Sequence, residues 1–353
     1  MNIIIQTCVP SYRLNFFNFI TSNSKSVKII AGKYFYSKSI VSDPSTKSVI
    51  WVKNYFFFKR KILFQNIPFF KVLKADNVVI EFNLNNITFY IVFFLRILLN
   101  KPVYLWGHAW SRKGPKSKSE YLRKYFKKKS TGYITYTLKQ QKELESQISS
   151  LNTFAAPNAI YFKEEMSPKH VDQNDILNFI YVGRLVEEKK ISLLVKSFHN
   201  IIDNLPINVK LIIIGAGPEF DSIKHYVELN NLKNRVELLG EISNYNDLRD
   251  YYSKSIASIS PGYVGLSITQ SLGFGVPMLI SRTEKHSPEI EASIEGFNSI
   301  FFETDNQTDL GEKLLSFFLN KEKWIQKRNQ ISEKCKEQYS IERMTSSFIS
   351  IFK

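Results

Sequence analysis

The sequence predicts an α/β protein with two domains, each built on a parallel sheet. Branched apolar runs alternate with helical patterns through the second half of the chain, and this alternation is typical of a doubly wound sheet. Glycine-rich turns follow several of the predicted strands, which is where the ligand crevice of such a sheet lies. With 353 residues, 44% of them hydrophobic, the chain is long enough to bury two cores.

The predicted elements follow the apolar runs in chain order. In the first half we expect strands at 2–6, 27–31, 77–81, 103–106 and 132–135. Proline and a polar, acidic segment interrupt both periodicities between 157 and 178, so we assign the first domain to 1–160. In the second domain, 161–335, we expect strands at 179–182, 209–214, 236–239 and 257–259, with helices at 192–204, 219–230 and 245–253.

The charge is distributed unevenly along the chain. Residues 1–142 hold 25 Lys and Arg against Asp43, Asp76, Glu81 and Glu120, a net charge of +21. The remaining residues hold 23 basic and 28 acidic side chains, a net charge of −5. A half this basic indicates a phosphate-bearing partner, which is nucleic acid, an anionic lipid surface or a lipid-diphosphate substrate. Charge alone does not choose among them.

Cysteine content and hydropathy predict the compartment. Cys8 and Cys335 are the only cysteines, so we expect no disulfide framework and a reducing environment. The first residues read as a buried strand rather than a signal peptide. The most apolar segment, 87–95, ends at Arg96 and is too short to cross a bilayer. We therefore expect a cytoplasmic protein without a transmembrane span.

The stretch 260–277 reads as a glycine turn, a helix start, a helix and a glycine stop. This arrangement aims backbone N–H groups and a helix N-terminus at one point, which suits a phosphate or sugar phosphate. We expect the chemistry of the protein to take place here.

Gly183, Arg184 and Lys189 lie in the turn between a predicted strand and the helix that follows it. The glycine lets the backbone approach a ligand, and the two cations can stabilise a departing nucleoside diphosphate without a metal. A solvated basic turn is the alternative, and the adjacent Lys190 favours it.

Gly215 and Gly217 open the next predicted helix and superficially resemble a dinucleotide fingerprint. The third glycine of that fingerprint is missing. A tight turn lining the ligand crevice is therefore favoured over a nicotinamide or flavin site.

Five segments follow one another in a recognisable order. They are Gly183-Arg184-Leu185-Val186-x-Glu188-Lys189, Gly215-x-Gly217-Pro218-Glu219, Leu239-Gly240-Glu241-Ile242, Gly265-Leu266-x-x-x-Gln270-Ser271-Leu272-Gly273-x-Gly275-x-Pro277 and Pro288-Glu289-Ile290. Taken in this order, the segments resemble the signature of family 4 glycosyltransferases, of the bacterial surface-polysaccharide type. The resemblance covers about 179–302, and Pro157-Asn158 resembles the Pro-Asn at the domain junction of that family.

The resemblance implies a GT-B fold, in which two Rossmann-like domains with parallel sheets face a central cleft. The second domain would bind a nucleotide-sugar donor and the first an acceptor, with retention of anomeric configuration and with neither metal nor cofactor. A C-terminal helix at 336–353 would cross back to the first domain. The implied donor-binding residues are Gly183, Gly215, Gly217, Gly240, Glu241, Ile242, Tyr263, Gly265, Leu266, Ser267 and Gln270, and the implied catalytic residues are Arg184, Lys189 and His108.

Two positions depart from the family pattern. Gly262 and Gln270 stand where the family commonly has glutamates. The carbonyl of Gln270 can still accept a ribose hydroxyl, but Gly262 cannot replace a side chain that faces the donor sugar. A different donor sugar, substitution by Tyr263 or Glu284, and weakened catalysis are the open explanations.

His108 follows the predicted strand 103–106, where the family often has a histidine in the cleft, so it either contacts the transferred sugar or packs structurally beside Trp106 and Trp110. The segment 112–142 contains eleven Lys and Arg and one acidic residue. It predicts either a helix that lies on an anionic bilayer or a merely solvated face. The residues assigned to the membrane or acceptor are Arg112, Lys113, Lys116, Arg123, Lys124, Lys127 and Lys128.

Aromatic and basic residues also cluster at 34–36 and 55–61. We expect most of these aromatics to be core and some to form a groove for a lipid-linked glycan.

The favoured function is a retaining glycosyltransferase on the inner face of the cell membrane that extends a lipopolysaccharide or capsule precursor. A nucleotide-sugar epimerase on the same fold, a catalytically weakened donor-binding relative and a nucleic-acid-binding protein remain alternatives. The last is disfavoured because it leaves the glycine motifs unexplained.

Overall fold

The computed structural model describes residues 1–24, 26–38, 40–111 and 114–353. The chain divides into two compact units, Met1–Ile160 with Ile341–Lys353, and Tyr161–Ser340. Each unit is a parallel α/β structure, so the predicted fold class is confirmed. The second unit extends beyond residue 335, where the sequence analysis ended it, because the helix Arg328–Tyr339 packs on that unit.

The first unit is an α/β layer structure whose sheet follows the order β4-β3-β2-β1-β5-β6-β7-β8. Its described strands run parallel, apart from β3 and β4, which form an antiparallel hairpin. The strands are β1 Asn2–Gln6, β2 Val27–Gly32, β3 Val49–Phe57, β4 Ile62–Asn66, β5 Val78–Glu81, β6 Val103–Trp106, β7 Gly132–Thr135 and β8 Thr153–Ala155. The helices are α1 Leu14–Asn23, α2 Phe69–Lys74, α3 Ile87–Leu98, α4 Ser119–Lys129 and α5 Leu138–Gln147.

The core of the first unit forms because the central strands are covered on both faces. Every residue of β1 is buried, as expected for a parallel strand between helix layers. α3 places Phe89 and Phe93 one turn apart on its inward face, and both rings lie 5.0 Å from the ring of Phe126 in α4. This aromatic cluster joins α3 and α4.

The β3–β4 hairpin was not predicted from the sequence. Ile50 and Val52 of β3 pack on the core, whereas Tyr55, Phe57 and Phe58 are exposed. Tyr34 is exposed as well, and no aromatic residue of 34–36 or 55–61 is buried. The expectation that most aromatics of these two clusters are core was therefore wrong. β3 lies next to the edge strand β4 and presents one face to solvent, since successive side chains alternate across a strand.

The second unit has a sheet with the order β11-β10-β9-β12-β13-β14. Since the chain order reverses between β9 and β12, the topological switch point lies between these strands. The strands are β9 Asn178–Val182, β10 Leu211–Ile214, β11 Val236–Leu238, β12 Ser255–Ser260, β13 Met278–Ser281 and β14 Ser299–Phe302. The helices are α6 Ile191–Ile201, α7 Phe220–Leu229, α8 Tyr245–Ser253, α9 Ser267–Gly273, α10 Gln307–Leu319, α11 Lys321–Gln326 and α12 Arg328–Tyr339.

The last helix, α13 Ile341–Phe352, belongs to the first unit and packs on α1. The ring of Phe348 lies 4.8 Å from Trp106 and 5.1 Å from Phe16. The hydroxyl of Ser347 donates to the carbonyl of Ala155 at 2.6 Å. These contacts make α13 part of the first hydrophobic core. Among the described residues, no helix is both long and apolar enough to span a membrane.

Replacing Phe348 with alanine should destabilise the first unit by about 3–5 kcal/mol, because the lost ring leaves a cavity against Trp106 and Phe16. Denaturant unfolding followed by tryptophan fluorescence measures the change. The control is Ser346→Ala on the exposed side of the same helix, which should change stability by less than about 0.5 kcal/mol. Equal losses in both variants would contradict this packing role.

Candidate functional site

The turns that follow the strands of the second unit are joined by backbone hydrogen bonds. The N–H of Gly183 donates to the carbonyl of Ile214 at 3.0 Å, and the N–H of Leu185 donates to Ala216 at 2.9 Å. The N–H of Gly215 donates to the carbonyl of Gly240 at 2.7 Å. The loops after β9, β10 and β11 therefore form one connected layer at the carboxyl edge of the sheet.

This layer depends on glycine where two backbones meet. A Cβ at Gly215 would lie 1.8 Å from the carbonyl oxygen of Gly183, and one at Gly217 would lie 2.2 Å from that of Leu185. No side chain fits at either distance. The two glycines thus serve the close contact between neighbouring turns, which agrees with the tight-turn interpretation.

Arg184 and Lys189 supply positive charge to this edge. Arg184 is exposed, while Lys189 is half-buried. Burial, followed by the nearby charge of Arg184, lowers the pKa of Lys189 to about 8, although the charge of Glu188 acts in the opposite direction. Within the described parts of the chain, neither cation forms a salt bridge with a carboxylate. Two close cations that form no salt bridge with a carboxylate are a candidate anion site.

Tyr263 holds Lys189 in its present position. The ammonium group donates to the backbone carbonyl of Tyr263 and lies 4.3 Å from the centre of its ring. The N–H of Tyr263 in turn donates to the carbonyl of Glu188 at 3.1 Å. The loop after β12 is therefore paired with the loop after β9, across the topological switch point.

The glycine at 262 is required by the same pairing. A Cβ on Gly262 would lie 2.2 Å from the carbonyl oxygen of Glu188. The glutamate that the resemblance places here would need a shift of the backbone. For the next N–H groups, those of Gly265, Leu266 and Ser267, the described residues provide no hydrogen-bond acceptor. These groups are available to a ligand, as the first N–H groups of a helix commonly are.

His286 is a residue of this loop system that sequence reasoning missed. Its Nδ1 accepts a hydrogen bond from the N–H of Val264 at 3.1 Å, and its Nε2 lies 2.8 Å from the carbonyl of Ser281. A carbonyl only accepts, so the imidazole carries its proton on Nε2 and is neutral. Burial lowers the pKa of His286 and the charge of Lys189 adds to this effect, while the hydrogen bond to Ser281 and the charge of Glu284 act in the opposite direction. His286 lies in the loop that follows β13, at the carboxyl edge of the sheet, and this position was the available signal.

The side chain of Glu284 is already engaged. It accepts a hydrogen bond from the ammonium group of Lys190 at 2.5 Å, and the same ammonium group contacts Asp305 at 2.6 Å. Lys190 has a left-handed backbone with φ of 54° and is tied to two acidic residues, unlike its neighbour Lys189. Its ammonium group therefore links loops of the protein to one another and does not serve to bind a ligand.

Gln270 lies in the interior of the second unit. Its amide nitrogen donates to the hydroxyl of Tyr161 at 2.7 Å, and its carbonyl oxygen lies 3.4 Å from the hydroxyl of Tyr252. Burial raises the pKa of Tyr161 to about 12, so its hydroxyl stays protonated at neutral pH. Contact of Gln270 with a ribose remains a prediction, as do the predicted roles of the exposed Glu241 and the half-buried Ile242.

His108 lies in the first unit, at the carboxyl edge of its sheet. Its backbone carbonyl accepts a hydrogen bond from the hydroxyl of Tyr133 at 2.7 Å, and its ring lies 4.8 Å from that of Tyr136. The side chain is exposed. The tyrosines fix its backbone and orientation, and its contact with a substrate remains a prediction.

The predicted basic face of α4 needs correction. Lys127 is buried, where its ammonium group bonds the carbonyl of Ala109 and lies 3.2 Å from the carboxylate of Glu120. Arg123 also turns inward, with its guanidinium 4.9 Å from the ring of Phe82. Both side chains therefore contribute to packing inside the unit and not to a basic surface. Lys116, Lys124 and Lys128 are exposed, and Arg112 and Lys113 lie outside the described residues.

Comparison with known proteins identifies the fold. The fold matches that of Anabaena HepE in a complex with UDP, with a TM-score of 0.69 and 13% identity over 100% of this chain and 99% of that one. It also matches a mutant of S. aureus TarM in a complex with Fondaparinux, alpha-GlcNAc-glycerol and UDP, with a TM-score of 0.57 and 21% identity over 85% and 62% of the chains. These likenesses show the fold, which is the GT-B fold of glycosyltransferases.

The family follows from the sequence model. Residues 162–338 match the family model Glycosyl transferases group 1, and the chain belongs to this family. An uncharacterized glycosyltransferase of Methanocaldococcus jannaschii is 29% identical over 147 residues. That match covers 40% of this chain and only 38% of the relative.

Gly262→Ala should lower the free energy of unfolding of the second unit by about 1–3 kcal/mol, since the new methyl group overlaps the carbonyl of Glu188. Gly265→Ala is the matched control, because the nearest atom to its Cβ is Ser287 Oγ at an ordinary 3.5 Å. Thermal and urea unfolding measure both variants. A Gly262→Ala protein as stable as the control would contradict the close contact.

Acid should weaken the second unit through His286. The unfolded chain, with an ordinary pKa near 6.5, binds a proton at a higher pH than the folded protein does. The stabilisation by the neutral ring is therefore complete above about pH 6.5 and is lost as the pH falls through the lowered pKa. His286→Asn keeps an acceptor for Val264 but does not titrate. Between about pH 8 and 5.5 the melting temperature of the wild type should fall more steeply than that of the variant, and parallel curves would disprove this role.

Proposed function

We propose that the protein is a retaining family 4 glycosyltransferase that transfers a sugar from a nucleotide-sugar donor to a lipid-linked glycan or polysaccharide. The observation that carries the donor part is the pair Arg184 and Lys189. They lie at the topological switch point, and among the described residues neither forms a salt bridge with a carboxylate. Such a pair suits the diphosphate of the donor. HepE and TarM were each solved with UDP, so UDP-sugars are the first donors to test.

The proposed chemistry is the departure of the nucleoside diphosphate from the anomeric carbon. Lys189 would leave the carbonyl of Tyr263 and move to the diphosphate, where negative charge develops as the bond breaks. Arg184 and the N–H groups of Gly265 and Leu266 would add donors to the same group. The acceptor hydroxyl would attack the anomeric carbon from the face that the diphosphate leaves and transfer its proton to a diphosphate oxygen, so no side-chain nucleophile is needed. The two cations would compensate the charge of the diphosphate without a metal.

The acceptor part of the proposal is supported by the first unit. Residues 1–142 carry a net charge of +21, and Lys116, just before α4, and Lys124 and Lys128 on α4 are exposed to solvent. Tyr121, on the same helix, is 89% exposed. Exposed lysines beside an exposed aromatic residue suit an anionic membrane, so we propose that the protein works at the cytoplasmic face of the membrane, where a lipid-linked acceptor would be found.

Lys189→Met and Arg184→Met should each weaken UDP binding about 10- to 100-fold, because each removes a charge-assisted hydrogen bond to the diphosphate. Isothermal titration measures the affinity. Lys196→Met, an exposed lysine on α6, is the control and should bind as the wild type does. Since the pKa of Lys189 is about 8, affinity should fall as the pH rises above that value.

Transfer itself is tested with UDP-sugars, a lipid-linked acceptor extract and excess EDTA. We expect transfer to continue, with a product anomer that matches the donor by NMR. Inversion would overturn the retaining assignment, and loss of activity in EDTA would overturn metal independence. Conversion of the donor to its epimer without an acceptor would indicate an epimerase instead.

A further inference from the structure

The β3–β4 hairpin presents an aromatic face to solvent. Trp51, Tyr55 and Phe57 occupy alternate positions of β3 and are 45%, 38% and 47% exposed. Phe58, at the tip, is 75% exposed. Because the intervening residues of β3 pack inward, the strand cannot turn these rings into the core without exposing the other face.

Basic residues surround these rings. The sequence from Val49 to Asn66 contains Lys53, Lys59, Arg60 and Lys61 and no acidic residue. The three lysines are exposed, and the ammonium group of Lys53 lies 5.1 Å from the ring centre of Tyr55. The hairpin face is therefore both aromatic and positively charged.

The tip is held in a fixed and unusual conformation. Phe58, Lys59 and Arg60 are consecutive non-glycine residues with φ of 48°, 53° and 65°. Such left-handed backbones cost free energy and persist where the surroundings maintain them. Here Arg60 maintains them, since its guanidinium donates to the carbonyls of Tyr36 and Phe35. With Arg60 bound in this way, Phe58 stays exposed next to the exposed Lys59.

A partner that adds a strand does not fit this hairpin. The outward N–H of Leu63 in β4 donates to the carbonyl of Asn85 at 2.8 Å, and that of Gln65 donates to Thr88 Oγ1 at 2.7 Å. The edge is thus covered by its own chain. A second copy would bring two strongly basic units together, which charge repulsion disfavours. The exposed face is left for an anionic partner.

The position of the hairpin tip favours a lipid surface as the anionic partner. β3 runs parallel to β2, so its C-terminal end lies at the carboxyl edge of the first sheet, the edge that also carries His108. If the hairpin tip contacted a lipid surface, that surface would lie beside the edge of the first unit to which acceptor binding is assigned. Aromatic rings beside lysines are typical of the membrane interface, where the rings enter the headgroup region and the lysines contact lipid phosphates.

We propose that the β3–β4 hairpin docks the first unit on an anionic bilayer through Phe58 and the aromatic face, with Lys53, Lys59 and Lys61 on lipid phosphates. The inference rests on the membrane association in the proposed function and names the element that provides it. It adds a docking element beyond the α4 lysines.

The test is co-sedimentation of the full chain with vesicles of phosphatidylcholine and phosphatidylglycerol at low salt. Phe58→Ser with Lys59→Gln and Lys61→Gln should weaken binding at least tenfold, since each lysine near an anionic surface contributes about fivefold. The matched control is Phe70→Ser with Lys71→Gln and Lys74→Gln in α2. It removes the same exposed chemistry from the same unit and should bind as the wild type does.

Each other outcome overturns the inference. Unchanged binding by the hairpin variant would assign docking to another surface, such as α4. Equal binding of the wild type to pure phosphatidylcholine vesicles would remove the role of charge. Loss of a dimer of the free protein in the hairpin variant would place a second copy on the face. UDP affinity, measured on the same proteins, distinguishes these failures from failure of the donor site or misfolding.

Discussion

The close approach of backbones at the carboxyl edge of the second sheet is the constraint on which the rest of the site depends. Gly215 lies against Gly183, and Gly262 lies against Glu188, at distances that no Cβ can occupy. These contacts hold the loops after β9, β10 and β12 in one layer. Because this layer is backbone paired to backbone, it presents Lys189 and the N–H groups near Gly265 from a rigid support.

The adjacent residues Lys189 and Lys190 make different contacts because their backbone conformations differ. The left-handed Lys190 turns its ammonium group toward Glu284 and Asp305, which ties the loops after β9, β13 and β14. Lys189 turns to the carbonyl of Tyr263 instead. A pair of basic residues is thus divided into one structural ion pair and one cation that a ligand can recruit.

Some functional features could be read from local sequence and others could not. The glycine turns were recognised because strand periodicity and turn glycines are local signals. The hairpin was missed because the outward residues Trp51, Tyr55 and Phe57 are as apolar as the inward ones, which erases the period of two. Lys127 was misplaced because helical spacing does not tell which lysine finds a buried acceptor.

The sequence by itself determined the α/β class, most of the central strands and the turns that carry Arg184, Lys189 and the glycines. Tertiary structure decided what each residue contacts. Glycine is needed at 262 because the carbonyl of Glu188 packs against it. His286 is part of the loop system because the N–H of Val264, in the neighbouring loop, donates a hydrogen bond to its ring. Such contacts join residues far apart in the chain, and their geometry is set by strand order and packing, which no local pattern records.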